Sequence, residues 1–111
     1  MRLRADIFVA ALIRRAQVQG AYATLRRRGA AEAGAIFVRI DRLDGTSALF
    51  GPAPQSEIGE DGDRLFRRMH EDAWTDNLAV EERLRRELAF DPDLWIVDIE
   101  DRQGRDFLKP D

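Results

Sequence analysis

Apolar residues recur along this chain with two periods, and the two periods separate helix from strand. Between residues 5 and 19, Phe8, Val9, Leu12, Ile13 and Ala16 fall on one arc of a helical wheel, with Ala10, Arg14 and Gln17 opposite. Asp6 near the start and Arg14 and Arg15 nearer the end suit the helix dipole, and Gly20 is a natural stop. Tyr22–Arg28 then reads as a strand and 29–34 as a small-residue loop. Ala35–Leu43 is rich in β-branched and aromatic residues, as strands are. Asp44-Gly45 predicts a two-residue type I′ hairpin, whose central positions both need positive φ. That turn pairs Leu43 with Thr46, Ile40 with Leu49 and Arg39 with Phe50. Ile36, Val38, Ile40 and Leu49 then share the core face, while Phe37, Arg39, Asp41, Ala48 and Phe50 share the other.

Two prolines and three glycines make 51–63 a loop, and a short fourth strand follows at about 64–71. Thr75 is the expected N-cap of a second helix that runs to about Phe90, ahead of Pro92. Its apolar stripe is narrow: Val80, Leu84 and Leu88. Glu81–Arg85 and Glu82–Arg86 stand four apart in the favoured order, so the rest of this helix reads as a solvated surface. In the last strand, Leu94–Asp101, Trp95, Val97 and Ile99 alternate with Leu94, Ile96, Asp98 and Glu100. A turn at Gln103-Gly104 would fold Phe107 and Leu108 back against it. The pattern predicts one α+β domain over residues 1–111. It has an antiparallel sheet of about five strands and two helices, in the order α-β-β-β-β-α-β, with the first helix on the main apolar face.

Composition narrows the chemistry. There is no cysteine among 111 residues, which removes disulfides, thiolate nucleophiles and cysteine-built metal sites. The apolar run Ile7–Ile13 is far short of the ~20 residues a membrane helix needs, so the expected place is the cytoplasm, with no membrane partner. The net charge of −3 is unevenly spread: residues 1–55 hold 9 Arg against 4 acids, and residues 56–111 hold 9 basic groups against 17 acids. Such halves either build a basic surface or pair with each other on folding, and pairing is the simpler reading.

Three stretches carry a family resemblance: Ala11-Leu-Ile-Arg-Arg15, Leu43-Asp-Gly45 with Leu49-Phe-Gly-Pro-Ala-Pro54, and Phe90-Asp-Pro-Asp-Leu-Trp-Ile-Val-Asp-Ile-Glu-Asp-Arg102 with Gly104. Together they resemble the bacterial domain of unknown function 1491, a family of small single-domain proteins, across nearly the whole chain. The resemblance implies a free-standing cytoplasmic bacterial protein and supplies no activity, so it carries over no catalytic residue.

Candidate chemistry is sparse. Asp91, Asp93, Asp98, Glu100 and Asp101 cluster in sequence, but a turn and a strand edge account for them without a metal. Asp93 and Glu100 lie seven strand residues apart, about 23 Å at ~3.3 Å each, too far to share one ion. His70, the sole histidine, has no serine brought near it by spacing, and no phosphate-binding glycine motif is present. No catalytic, metal or cofactor residue is therefore predicted. The sharper feature is the second sheet face, where Phe37, Arg39 and Phe50, joined by Tyr22, Arg26 and Arg28 of a strand in phase, would interleave aromatics with arginines. Such a face could stack single-stranded bases, but no nucleic-acid signature motif accompanies it and the net charge is negative. A covered face is the favoured reading, with a twofold homodimer burying Phe37 and Phe50. The sequence thus favours a small non-catalytic, protein-binding and self-associating domain. Single-stranded nucleic-acid binding is the alternative, and a hydrolase using the C-terminal carboxylates comes third.

Overall fold

A computed structural model describes residues 3–54 and 64–109, so most of the loop expected over 51–63 lies outside the described residues. Along the chain run α1 (Ala5–Val18), β1 (Tyr22–Arg27), β2 (Ile36–Asp41), β3 (Thr46–Pro52), β4 (Phe66–Arg68), β5 (Thr75–Asp76), α2 (Asn77–Phe90) and β6 (Trp95–Glu100). The sheet order is β1-β6-β2-β3-β4, with the two-residue β5 also on β3. The α+β class and the two helices are as expected, with one strand more. One pairing departs from the antiparallel pattern: β6 lies parallel to β2, with Val38 beside Val97 and Arg39 beside Asp98. The unbroken apolar run Leu94–Val97 accounts for its place, because a strand walled by neighbours and covered on both faces needs apolar side chains on both.

Each sheet face has its own helix. Val9, Leu12 and Ala16 of α1 pack on Ile36, Val38, Ile40, Ala48, Phe50, Trp95, Val97 and Ile99. On the opposite face, Val80 and Leu84 of α2 pack on Phe37, Leu49, Leu94 and Ile96. The tail behaves as its turn signal predicts: Gly104 has φ +71°, Phe107 is buried in the α1-side core and Leu108 packs against it. Asp101 holds this return in place by accepting hydrogen bonds from the backbone N–H and the guanidinium of Arg105.

The hairpin corrects the expected register. Arg42 N–H donates to Thr46 O, leaving a three-residue connection, Leu43-Asp44-Gly45, with φ +64° at Leu43 and +90° at Gly45. Asp44 Oδ1 accepts from the Thr46 N–H and hydroxyl, closing the turn. The pairs are therefore Val38 with Phe50, Arg39 with Leu49 and Ile40 with Ala48. One residue of slip exchanges the faces of β3. Leu49 joins the α2 side, and Phe50 joins the α1 side.

Two smaller corrections follow. β3 continues through Gly51 and Pro52, and a Cβ on Gly51 would lie 2.8 Å from both the Phe37 ring and the Met69 sulfur. The N-cap of α2 is Asp76, whose carboxylate accepts from Ala79 N–H, while Thr75 belongs to β5. Among the described residues no helix is long and apolar enough to cross a membrane.

Candidate interaction surface

Where the α2 side of the sheet turns polar, charges from both halves of the sequence meet. Arg39 stands on β2 between buried neighbours, and Asp98 stands beside it on β6. The Glu81 carboxylate comes down from α2 and accepts from both terminal nitrogens of Arg26 on β1, one at 2.7 Å. Arg26 also lies 3.5 Å from Asp98. Arg39 lies 3.4 Å from Asp41, 3.8 Å from Glu81 and 3.9 Å from Asp98. Glu81 therefore does not join the solvated helix surface expected of it. On that surface Glu82–Arg86 forms, and Arg83–Glu87 is the shorter pair.

Environment divides these carboxyls. Hydrogen bonds from Arg26 hold Glu81 below the usual carboxylate range, and the same contact raises Arg26. Burial pushes Asp98 up, against the pull of Arg26 and Arg39. Asp98 Oδ1 and Arg39 Nε are both buried without a hydrogen-bond partner. The network ties β1, β2, β6 and α2 together with its charges largely matched internally, which suits a bracket between elements.

The six residues of the expected arginine–aromatic face are thus dispersed. Phe37 is 5% exposed beneath α2, and Phe50, 9% exposed, lies on the other face with Arg68 stacked 4.9 Å from its ring centre. Arg26 and Arg39 belong to the charged network. Arg28 stacks on Trp95 at 5.4 Å. Tyr22 stands in solvent, 63% exposed. Both phenylalanines are covered within the chain, so neither calls for a second copy or offers a base a ring to stack on.

His70 and Asp91 have structural partners. His70 Nε2 accepts the Leu49 N–H at 3.1 Å, placing the ring proton on Nδ1, 2.6 Å from Asp72 O. Asp91 caps its own turn by accepting from Asp93 N–H. Among the described residues no three of His, Cys, Asp and Glu gather around a point that could hold a metal ion.

One open edge of the sheet is the outer side of β1, which among the described residues pairs with β6 alone; β4, paired with β3, is at the other end. Tyr22 and Leu25 lie on it and Val18 precedes it at the end of α1, with Val18 76% and Leu25 36% exposed. A register shift between Leu25 and Arg27 ends the regular stretch, and Arg27 turns back to donate to Pro92 O. The free edge was missed in the sequence because strand order cannot be read from alternation. Asp98 was legible from its place, since an acid flanked by the apolar Val97 and Ile99 within a strand needs a cationic neighbour.

A family model described as "Protein of unknown function (DUF1491)" matches residues 3–109. A crystal structure of a DUF1491 family protein from Caulobacter crescentus CB15 is similar, with a TM-score of 0.81 and 42% identity over 98% of this chain and 95% of that one. A solution structure of a protein from A. tumefaciens is similar at 0.77 and 41%, over 90% of this chain and 86% of that one. A comparison with curated proteins gives no match. The matched span and these identities place the chain plainly: it belongs to the DUF1491 family.

Proposed function

We propose that the protein is a non-catalytic cytoplasmic interaction module that self-associates by pairing the outer edge of β1 with β1 of a second copy. The observation that carries this is the division of the surface. Each sheet face is packed by one of the chain's own helices, while the β1 edge is open to a further strand and carries the exposed Tyr22 and Leu25 on alternate faces, with exposed Val18 just before it. Tyrosine and aliphatic side chains beside unpaired strand groups suit strand addition, in which main-chain bonds give affinity and side chains give selectivity. The register shift and Arg27 at the end of the strand limit indiscriminate pairing and fix where a partner must stop. Nucleic-acid binding is less well supported, because Phe37 and Phe50 are enclosed and Arg26 and Arg39 face acids.

Sedimentation equilibrium tests the reading. A dimer at micromolar concentration that dissociates in Tyr22→Asp/Leu25→Asp is expected. A monomeric wild type, or a dimer untouched by the double substitution, overturns it.

A further inference from the structure

The stripe on α2 covers the sheet only in part, and what it leaves is a cleft of about 170 Å³ against β3 and the end of β4. Leu49, Met69 and Val80 make its walls apolar, and Arg83 and Arg86 stand at its margin. Among the described residues no carboxylate lines it. Arg83 has its Nε on Glu87 and its Nη1 on Met69 O, which fixes the guanidinium at the rim. Arg86 is held more loosely, 3.7 Å from Glu82 with both side chains well exposed, so it is free to turn toward an anion. His70, also on the lining, has both ring nitrogens engaged by backbone and serves as wall.

We propose that this cleft binds a small carboxylate carrying one compact apolar group. The volume sets the size, since an apolar cavity of about 150 Å³ accommodates a benzene ring. The charge sets the head group: Arg83 shares its charge with Glu87, so the loosely held Arg86 supplies the main attraction for an anion, and its planar fork matches a carboxylate. The apolar group seats between Leu49, Met69 and Val80, with the carboxylate outward between Arg83 and Arg86. This inference does not depend on the β1 edge, which belongs to a different part of the molecule.

Benzoate is the probe, followed through the backbone amide resonances of the full chain, with benzyl alcohol as its uncharged counterpart. Millimolar binding is the range for a ligand of this size. Shifts should centre on residues 49, 69 and 79–86 and be at least about tenfold weaker for benzyl alcohol. Ala79→Leu fills the cleft from an exposed helical position that tolerates leucine, and should abolish the response. Arg86→Gln should weaken benzoate about tenfold and leave benzyl alcohol unchanged. Absence of benzoate shifts in the wild type, equal response to the two probes, or an undiminished response in either variant overturns the proposal.

Discussion

Arg39 and Asp98 occupy matched positions on the parallel strands β2 and β6, yet their closest charged atoms are 3.9 Å apart and each keeps a buried polar atom without a hydrogen bond. Neighbouring backbones bring them together, while Glu81 and Arg26 take the better geometry. The pair is therefore a place where the fold tolerates an electrostatic cost rather than gains from one.

This predicts an inequality between two isosteric substitutions. Asp98 is raised by burial, so its ionised form opposes folding at neutral pH, and Asp98→Asn should be neutral or stabilising within about 1 kcal/mol. Glu81→Gln removes the charge and one of the two oxygens that accept from Arg26, and should destabilise by about 1 kcal/mol, moderated because the pair is partly in water. Urea midpoints at pH 7 compare them; a larger loss in Asp98→Asn contradicts the ranking.

The tail clamp should govern part of the acid response. Hydrogen bonds from Arg105 hold Asp101 below the usual carboxylate range. A carboxyl lowered on folding contributes stability above its unfolded value, near pH 4, and loses it as pH falls through the folded value. Asp101→Asn should therefore be less stable than wild type at pH 7, with the difference closing below about pH 4. Urea titrations at several pH values check it, and a gap that persists in acid would assign the effect to packing.

The hairpin offers substitutions of opposite sign. Gly45 has φ +90° with open space around it, so Gly45→Val should cost more than ~1 kcal/mol through backbone strain alone. Leu43 already bears such strain at φ +64° while substantially exposed, and Leu43→Asn should raise the melting temperature. Differential scanning calorimetry of both variants reads the signs directly.

Gly29 should resist any side chain for a different reason. A Cβ there would lie 2.2 Å from Asp93 O and 2.7 Å from the Trp95 ring. Gly29→Ala must push the loop off β6 and strain the Trp95 Nε1 bond to Ala30 O, at a cost of more than about 2 kcal/mol. A melting temperature within a degree or so of wild type would be inconsistent with this contact.

Much of this fold was legible because its periods are clean. The α1 stripe, the alternation of β2, the stop of α2 before Pro92 and the return of Phe107 all follow from local spacing. The two largest departures came from one residue and one neighbour. Leu43 adopts a conformation that leucine disfavours, which lengthens the turn and exchanges the faces of β3. The parallel pairing of β2 with β6 depends on residues some sixty positions apart, beyond any local pattern. The narrow stripe on α2 was read correctly but weighed wrongly. It suffices because part of the sheet beneath it is polar, held by Arg26, Arg39, Glu81 and Asp98. The basic and acidic halves of the sequence do interlock there, and this is where two residues of the expected arginine face are found.

The last strand in sequence lies in the middle of the sheet. β1 and β2 are both made early, yet neither pairs with the other, and each waits for β6 as its neighbour. On a ribosome, the N-terminal half can form α1 and, with β3, the β2–β3 hairpin, but β1 remains without a sheet until the chain has been extended through Glu100. Closure is then a single late event joining distant segments, which makes it slow relative to the local hairpin. During that interval β1 presents both edges rather than one. The three consecutive arginines that close it, Arg26, Arg27 and the following Arg28, then act as a charge guard for a nascent strand whose proper neighbour has not yet been synthesised.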